Sequence, residues 1–525
     1  MANGKQKIWV SDIIGNDYKT WKDEVILLGS GTGRGKTTFS LEYCSWLILN
    51  GKDNILYLCN RKKLREQTQK IAEKKHLRDH ITVISYHQLQ DILKTGDTID
   101  QYDAYICDEA HYFLADSSFN LYTDISYEYL MSQKESVVIF MTATYQNIFR
   151  KIRADIKDNC KKENLEYKEP KTYILATDYG YVDKIYWFRK EDLFGIVDRI
   201  LRETDDKIIY FCNGITRMES FYNHYSPTYG TDEIEKYNQE TSLKYMDFLC
   251  SDYSTHRWAK KHSNENAIVQ GEKGGYQFQN RMLVSTKCID NGVDFKDKKI
   301  KHIICDIFDL ESAIQCLGRK RILDADDTCT FYIRDWQHNE ATLFYSKTRN
   351  EVETADLFLK NRKEWENKYG KKRPYSDKSI YYDFDDTREW VLNELRYVKL
   401  KLDEILIKQM IEETTSYKAE ILNLLGESAI EKSVDMSEVE ADRTKNIIEI
   451  FIEKNVDVLL DKEQQEELVD ICKVEDRFHR PQKSISQICA YLDSNYGYKV
   501  VSRSKEKRIN GKRKKITYWM IKKSK

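Results

Sequence analysis

The stretch Ser30-Gly31-Thr32-Gly33-Arg34-Gly35-Lys36-Thr37-Thr38 sets spaced glycines before a lysine and a pair of threonines. An apolar run, Val25 to Leu28, precedes it, and a helix-like stretch, Phe39 to Leu49, follows. Strand, glycine loop and helix in that order form the context of a phosphate-binding loop. Glycines let backbone N–H groups turn inward around β- and γ-phosphates, and the helix N-terminus beyond adds its positive end. In such a loop Lys36 reaches the terminal phosphates and the Thr37 hydroxyl ligates Mg²⁺. The strict loop pattern has Gly where Ser30 stands.

A second constellation follows the run Tyr105-Ile106-Cys107, which leads into Asp108-Glu109-Ala110-His111. An apolar strand ending in two acids places carboxylates at a sheet edge, and in a nucleotide-binding α/β domain that edge is where the ligand sits. The expected roles are Mg²⁺ binding for Asp108, directly or through water, and orientation and deprotonation of the attacking water for Glu109.

These residues resemble superfamily 2 helicases and translocases of the Asp-Glu-Ala-His type, in the manner of type III restriction helicase subunits. In that family the first motif often reads small-x-Thr-Gly-x-Gly-Lys-Thr, so Ser30 fits as the small residue. Further stretches match in order over roughly residues 20 to 335. Phe140-Met141-Thr142-Ala143-Thr144 looks like the third motif, Val284-Ser285-Thr286 to Asn291-Gly292-Val293-Asp294 like the fifth, and Gln315-Cys316-Leu317-Gly318-Arg319-Lys320-Arg321 like the sixth. Weaker echoes are Leu58-Cys59-Asn60-Arg61, Val83-Ile84-Ser85-Tyr86 and Ile209-Tyr210-Phe211-Cys212-Asn213.

The resemblance implies ATP and Mg²⁺ as cofactors and a nucleic acid as partner. It places Gly292 and Asp294 with the loop in ATP binding, and Ser85 and Thr286 on the nucleic acid. It gives His111, Thr142 and Thr144 to coupling between domains, and Gln315 and Arg319 to the developing phosphate charge. The family's sixth motif usually ends Gly-Arg-x-x-Arg, whereas Ile322 occupies the last position here. Either Arg321 takes that role after a one-residue shift, or the site has a single arginine finger, Arg319. No glutamine upstream of the loop reads adenine, so the preference for ATP rests on the resemblance alone.

The elements that must position these residues follow from patterning. Apolar runs at Val25–Leu28, Ile55–Leu58, Ile81–Ile84, Ala104–Cys107 and Val137–Met141 alternate with helix-like stretches. That alternation predicts a parallel sheet flanked by helices. A second set, Lys207–Phe211, Met282–Ser285, His302–Asp306 and Cys329–Tyr332, predicts another. The fold class is thus α/β, with two tandem RecA-like parallel-sheet domains over 1–175 and 176–335. Tyr222 to Asn280 is long and polar and reads as an insertion. Arg61 to Lys75 is a charged helix whose Arg61 contacts phosphates if that face lines the strand groove.

Residues 336–475 read as a helical accessory domain, with Trp390, Leu392, Leu395, Val398, Leu402, Ile405 and Leu406 at helical spacing and Ile447, Ile448, Phe451, Val458 and Leu459 continuing it. This region either braces a nucleic-acid strand, recruits a partner or serves as a scaffold. From 476 to 525, Ser484-Ile485-Ser486-Gln487 reads as a helix cap, and two β-type runs flank the turn signal Asn510-Gly511. This hairpin is densely basic, with Arg508, Lys512, Arg513 and Lys514 near its tip. Helices followed by a basic hairpin resemble a winged-helix module, whose cations enter a groove or clamp phosphates.

A chain of 525 residues implies three or four domains. Its net charge of −1 carries no global nucleic-acid signature, but strand binding can be confined to a cleft. No apolar run is long enough for a membrane span, and the N-terminus lacks a signal-peptide core. The 12 cysteines include no Cys-x-x-Cys pair, as expected of reduced thiols in a cytoplasmic protein. The function expected is an ATP-dependent helicase acting on DNA in preference to RNA. The alternatives are a duplex DNA translocase of a restriction or defence complex, and an ATP-switched, site-specific DNA-binding protein.

Overall fold

The computed structural model describes residues 8–524 apart from 32, 61, 98, 178, 227–242, 251–253, 272–274, 290–292, 325, 371–378, 384–387, 475–479 and 510–511. The chain separates into two compact units, Met1–Ser433 and Val434–Lys525.

The larger unit is built on two parallel sheets. In the first, β1 (Val25–Ser30), β2 (Ile55–Cys59), β3 (Ile81–Ser85), β4 (Ala104–Asp108), β5 (Val137–Thr142) and β6 (Lys171–Leu175) lie in the order β3-β2-β4-β5-β1-β6. Side chains alternate across such a sheet, and the alternation is visible in the core. Ile26, Leu28, Tyr57, Ile106, Ile139 and Met141 pack on one face. Leu27, Leu56, Leu58, Tyr105, Cys107, Val138 and Phe140 pack on the other. Both faces are covered, so the strands read as continuous apolar runs rather than as alternating ones. Each fully buried aliphatic or aromatic side chain contributes about 1.5–3 kcal/mol.

The second sheet contains β7 (Val182–Phe188), β8 (Lys207–Cys212), β9 (Met246–Leu249), β10 (Met282–Ser285), β11 (Ile300–Asp306) and β12 (Cys329–Arg334), ordered β7-β12-β11-β8-β10-β9. Every pairing among these strands is parallel. The stretch read as a polar insertion therefore supplies β9, which pairs with β10. The sequence pattern also passes over β6 and β7, which extend one sheet each. Polar residues interrupt both: β6 begins Lys171-Thr172 and β7 carries Asp183-Lys184.

Three helices matter for the site: α1 (Lys36–Leu49), α2 (Tyr86–Thr95) and α3 (Leu310–Leu317). Beyond the second sheet come α4 (His338–Lys360) and α5 (Glu394–Ile411). The helical periodicity read from Trp390 and Leu392 is corrected here. Both lie in a short strand, Trp390–Leu392, paired antiparallel with Ile380–Tyr382, and Asn393 then caps α5 by accepting from the Arg396 amide. Trp390 packs on Phe358 and Trp365, so tertiary burial decides its conformation.

The smaller unit holds α6 (Met436–Asn455), α7 (Lys462–Cys472), α8 (Ile485–Tyr496) and a three-stranded sheet. Its strands are β13 (Leu459–Leu460), β14 (Tyr498–Ile509) and β15 (Lys512–Lys523), in the order β13-β15-β14. Leu459, expected to continue a helix, is thus in a strand. Ser484 caps α8 by accepting from the Gln487 amide, and Gly497, at φ 72°, ends it. Ile448, Phe451, Leu460, Leu468, Ile488, Leu492, Val500 and Ile521 form one core. That core needs α6 and α7, so the boundary expected at 475/476 falls inside this unit, whose start is Val434. Val500 and Ile521 pair on the core face, which places Arg503 and Lys505 on the opposite face, where both are exposed.

Candidate active site

The parallel register brings the sequence-predicted chemistry to one edge. Gly29 of β1 pairs with Thr142 of β5, and Met141 pairs with Asp108 of β4. The loop after Ser30, the two acids and the Thr142–Thr144 turn therefore all leave the carboxyl ends of adjacent strands.

Gly31 leaves no room for a side chain: a Cβ there would lie 2.0 Å from the Thr177 hydroxyl oxygen. Gly35 opens α1 at φ 86°, a left-handed conformation that side chains disfavour. Lys36 is buried, and its Nζ donates to the carbonyls of Ser30 (2.6 Å) and Gly31 (3.2 Å). Burial lowers its pKa, against the opposing pull of Glu109 and Asp108, and Arg321 and Arg319 add to the lowering. The Ser30 hydroxyl is buried without a hydrogen-bond partner among the described residues. Thr37 and Thr38 occupy the first turn of α1, the former half-buried and the latter exposed. The Arg34 carbonyl accepts from the Val10 amide at 3.0 Å, tying the loop to the N-terminal segment. Thr32 lies outside the described residues.

Asp108 is held in place by its neighbours. Its Oδ1 accepts from the Glu109 amide (3.0 Å), its Oδ2 from the Tyr57 hydroxyl (3.3 Å), and its carbonyl from the Tyr86 hydroxyl (2.9 Å). Burial and then the neighbouring Glu109 push its pKa up to about 7. Glu109 sits at φ 54°, in the left-handed region. For a side chain with Cβ this costs about 1–2 kcal/mol, the kind of local strain that recurs at functional sites. Burial alone would raise the Glu109 pKa. The hydrogen bond and charge of His111, joined by Lys36 and Arg319, instead hold it well below the usual carboxylate range. His111 Nδ1 lies 3.4 Å from Glu109 Oε2 and 3.0 Å from the Thr142 hydroxyl. Its pKa is raised: burial opposes the shift and Glu109 drives it. His111 Nε2 is buried without a partner among the described residues.

Across the cleft, α3 presents the sixth-motif residues. Gln315 Nε2 donates to the Thr144 hydroxyl at 3.0 Å, joining the two sheet domains. The Thr144 amide in turn donates to Thr142 Oγ1 at 3.2 Å. A continuous polar path thus runs Glu109–His111–Thr142–Thr144–Gln315. Arg319 is buried and donates through Nε to the Gln315 carbonyl (3.2 Å). Arg321 lies against the phosphate loop, its Nη1 3.3 Å from where a Cβ on Gly33 would stand. Asp294 pairs with Arg321 at 2.8 Å and with Arg319 at 3.7 Å, so its carboxylate orients both arginines.

The donor set fits a nucleotide with its divalent cation. A glycine cradle, a lysine that donates to loop carbonyls and a serine hydroxyl without a partner among the described residues answer to phosphate oxygens. Two adjacent carboxylates, Asp108 buried and pushed up to about 7 and Glu109 half-buried, answer to a cation. Among the described residues no group of three or more His, Cys, Asp or Glu side chains could hold a metal. Magnesium is commonly held by one or two carboxylates together with substrate phosphates.

The expected nucleic-acid contacts are less gathered. Ser85 accepts from the Gln88 amide at 3.1 Å as the cap of α2, so its hydroxyl is engaged within the fold. Thr286 follows β10, its carbonyl accepting from the Ser285 hydroxyl. Arg61 and Gly292 lie outside the described residues, as do the side chains of Arg508, Lys512, Arg513 and Lys514. The structure adds residues that carried no sequence signal. Tyr57 and Tyr86 grip Asp108, Thr177 fills the space over Gly31, and Asn147 donates to Glu311 of α3 at 2.9 Å. The amide of Asn60, in one of the weaker motif echoes, is buried with both polar atoms unpartnered among the described residues.

Residues 23–226 match the family described as Schlafen group 3, DNA/RNA helicase domain. No curated protein matches the chain in sequence. Among solved structures it is similar to S. cerevisiae Dbp5 bound to RNA and ADP BeF3, at 12% identity and a TM-score of 0.41, over 62% of this chain and 82% of that one. It is similar to the DEAD-box helicase Mss116 bound to ssRNA and UDP-BeF, at 14% identity and a TM-score of 0.41, over 61% and 68% of the two chains. It is also similar to the Escherichia coli DEAH/RHA helicase HrpB, at 13% identity and a TM-score of 0.39, over 62% of this chain and 42% of that one.

Proposed function

We propose that this chain is an ATP-dependent nucleic-acid helicase that acts on DNA in preference to RNA. One juxtaposition carries the reading: Lys36, Asp108 and Glu109 at the edge of the first sheet face Arg319 and Gln315 from the second across one cleft. The family match over residues 23–226 supports it.

In this reading phosphate oxygens take over the bonds that Lys36 makes to its own loop, and the Ser30 hydroxyl and loop amides complete the cradle. Thr37 and Asp108 would hold Mg²⁺, which would supply Lewis-acid polarisation of the phosphoryl oxygens when bound. Glu109, ionised at neutral pH because His111 and Lys36 favour its charge, orients the attacking water and accepts its proton. Arg319 meets the charge that develops as the terminal phosphate leaves, a contribution of about 10³–10⁵ in rate for arginine fingers. The polar path from Glu109 to Gln315 reports the state of the nucleotide to the second sheet. The smaller unit serves as a winged-helix module whose basic hairpin clamps duplex phosphates.

ATP hydrolysis measured without nucleic acid and with single-stranded DNA, duplex DNA or single-stranded RNA tests this. Strong stimulation by DNA, with strand displacement on a forked duplex, is the expected result. Slow hydrolysis that none of the three changes would contradict the motor. It would favour an ATP-switched DNA-binding protein.

A further inference from the structure

Helix α5 touches both sheet domains. Its first half packs Leu395, Val398 and Leu402 on the first sheet's core, and Asn393, its cap, donates to the carbonyl of Leu121 at 3.0 Å. Its second half packs Ile407 and Met410 on the second sheet's core. At about 1.5 Å per residue, the helix is a strut laid across the seam between the sheets.

Lys399 sits at the middle of that strut. It is buried, and its Nζ donates to Asp309 Oδ2 (2.8 Å) and Asp403 Oδ1 (2.7 Å). Asp309 is the residue that starts α3. Its Oδ1 accepts from the Ser312 amide (2.9 Å) and hydroxyl (2.7 Å), and Lys287 stands 3.9 Å away. From this cap α3 runs through Glu311, bonded to Asn147 of the first domain, to Gln315, bonded to Thr144, and ends beside Arg319. The helix is thus held at its cap by the strut and along its side by the first domain.

We infer that Lys399 is a positioning residue: through Asp309 it sets the placement of α3, and with it of Gln315 and Arg319, against the first sheet. This deepens the helicase reading and rests on it for the catalytic consequence, although the placement itself is independent of that reading. Arginine fingers depend on position, and a misplacement of about 1 Å can cost on the order of 10²-fold in rate. A change in the tilt of α5 would reach the reacting phosphate through one buried ion pair.

The test compares Lys399→Met, Lys399→Arg and Asp309→Asn in the full chain. Asp309→Asn keeps an oxygen for the Ser312 cap and loses the charged bond to Lys399, so it stands in if Lys399→Met fails to fold. Hydrogen exchange without nucleotide is read first. Exchange faster by tenfold or more over 310–317, with the strands of the first sheet unchanged, is expected for Lys399→Met and Asp309→Asn. In ATP hydrolysis, kcat should fall about tenfold or more with KM for ATP within twofold. Lys399→Arg should restore most of it, and the double variant should be no slower than either single one. Unchanged exchange over 310–317 in both variants overturns the inference, as does exchange that rises equally across the whole unit. A wild-type protein that hydrolyses no ATP overturns the helicase reading instead, while the exchange result still decides the role of Lys399.

Discussion

The two parallel sheets end in opposite electrostatics. At the carboxyl edge of the second, Asp306 has both oxygens engaged: Arg217 and Tyr210 reach one at 2.8 and 3.2 Å, and Arg334 the other at 2.7 Å. At the opposite, amino edge of the same sheet, Lys320 and Asp327 form a fully buried pair at 2.5 Å. At the carboxyl edge of the first sheet, Asp108 and Glu109 repel one another, Lys36 donates to loop carbonyls, and Ser30 and His111 hold buried polar atoms with no partner among the described residues. Buried polar groups are nearly always satisfied in folded proteins. Arg217 Nη2 and Arg334 Nε at the second edge are also buried without a partner among the described residues, so what sets the first edge apart is the like-charged pair beside a left-handed glutamate, the mark of a site that a ligand completes. The acid of the second edge is matched by cations of the fold itself, whereas the paired acids of the first are suited to receive something.

The sharpest way to break this contrast is to remove one charge from each side. Arg319→Ala, which takes the finger from the cleft, should lower kcat for ATP by about 10³-fold. The melting temperature should stay close to that of the wild type. Arg321→Ala run alongside identifies the finger. A comparable loss there would give the role to both arginines, and a change in KM alone would assign Arg321 to ground-state binding. Asp306→Asn should do the reverse. It takes the charged partner from the half-buried Arg217 and leaves the buried Arg334 paired with Glu340, a loss of up to about 3–5 kcal/mol. Calorimetry should show a strong destabilisation, with kcat of the folded fraction little altered. If Asp306→Asn abolished hydrolysis without destabilising the fold, the second edge would belong to the chemistry.

A subtler probe is pH. Burial pushes Glu311 up to about 7, against the pull of Lys399. A carboxyl whose folded pKa exceeds its unfolded value binds a proton more tightly when folded. The folded state therefore loses stability as pH rises from the unfolded value near 4.5 to about 7. Glu311→Gln keeps the acceptor for Asn147 and removes the charge. It should raise the melting temperature at pH 8 relative to wild type and leave it nearly unchanged at pH 4, with an upper bound of about 3 kcal/mol from the shift. Equal effects at both pH values would contradict the assignment. The smallest effect is expected in the C-terminal unit. Replacing the exposed Arg503 and Lys505 by alanine should weaken DNA binding and reduce the slope of log affinity against log salt by about 2, without a change in melting temperature or in ATP hydrolysis free of DNA.

What the sequence made legible follows the range of each signal. The phosphate loop, the Asp-Glu pair and the third-motif turn are local patterns. Each sits at the end of an apolar strand, and a parallel sheet brings such ends to one edge. The strands were readable where both faces are buried, as in Ile55–Cys59, and missed where polar residues interrupt them, as in Val182–Phe188. Trp390 and Leu392 imitated a helix because a few apolar residues at chance spacing cannot be distinguished from a short strand packed on Trp365. The contacts that bind α3 to the rest of the site join residues far apart in the chain: Asn147 to Glu311, Thr144 to Gln315, and Lys399 to Asp309. No spacing rule links them, and only the packed structure brings them together.

The central claim is that the end of β4 carries hydrolysis of a nucleotide held by the loop after β1. Glu109→Gln tests it most directly, with ATP affinity measured by calorimetry in the presence of Mg²⁺ and turnover measured on the same preparation with the best nucleic-acid activator. The account predicts ATP affinity within a few-fold of wild type and turnover lower by about 10²–10⁴-fold, the usual worth of a general base. Normal turnover in this variant, or a wild-type protein to which ATP does not bind, would contradict it.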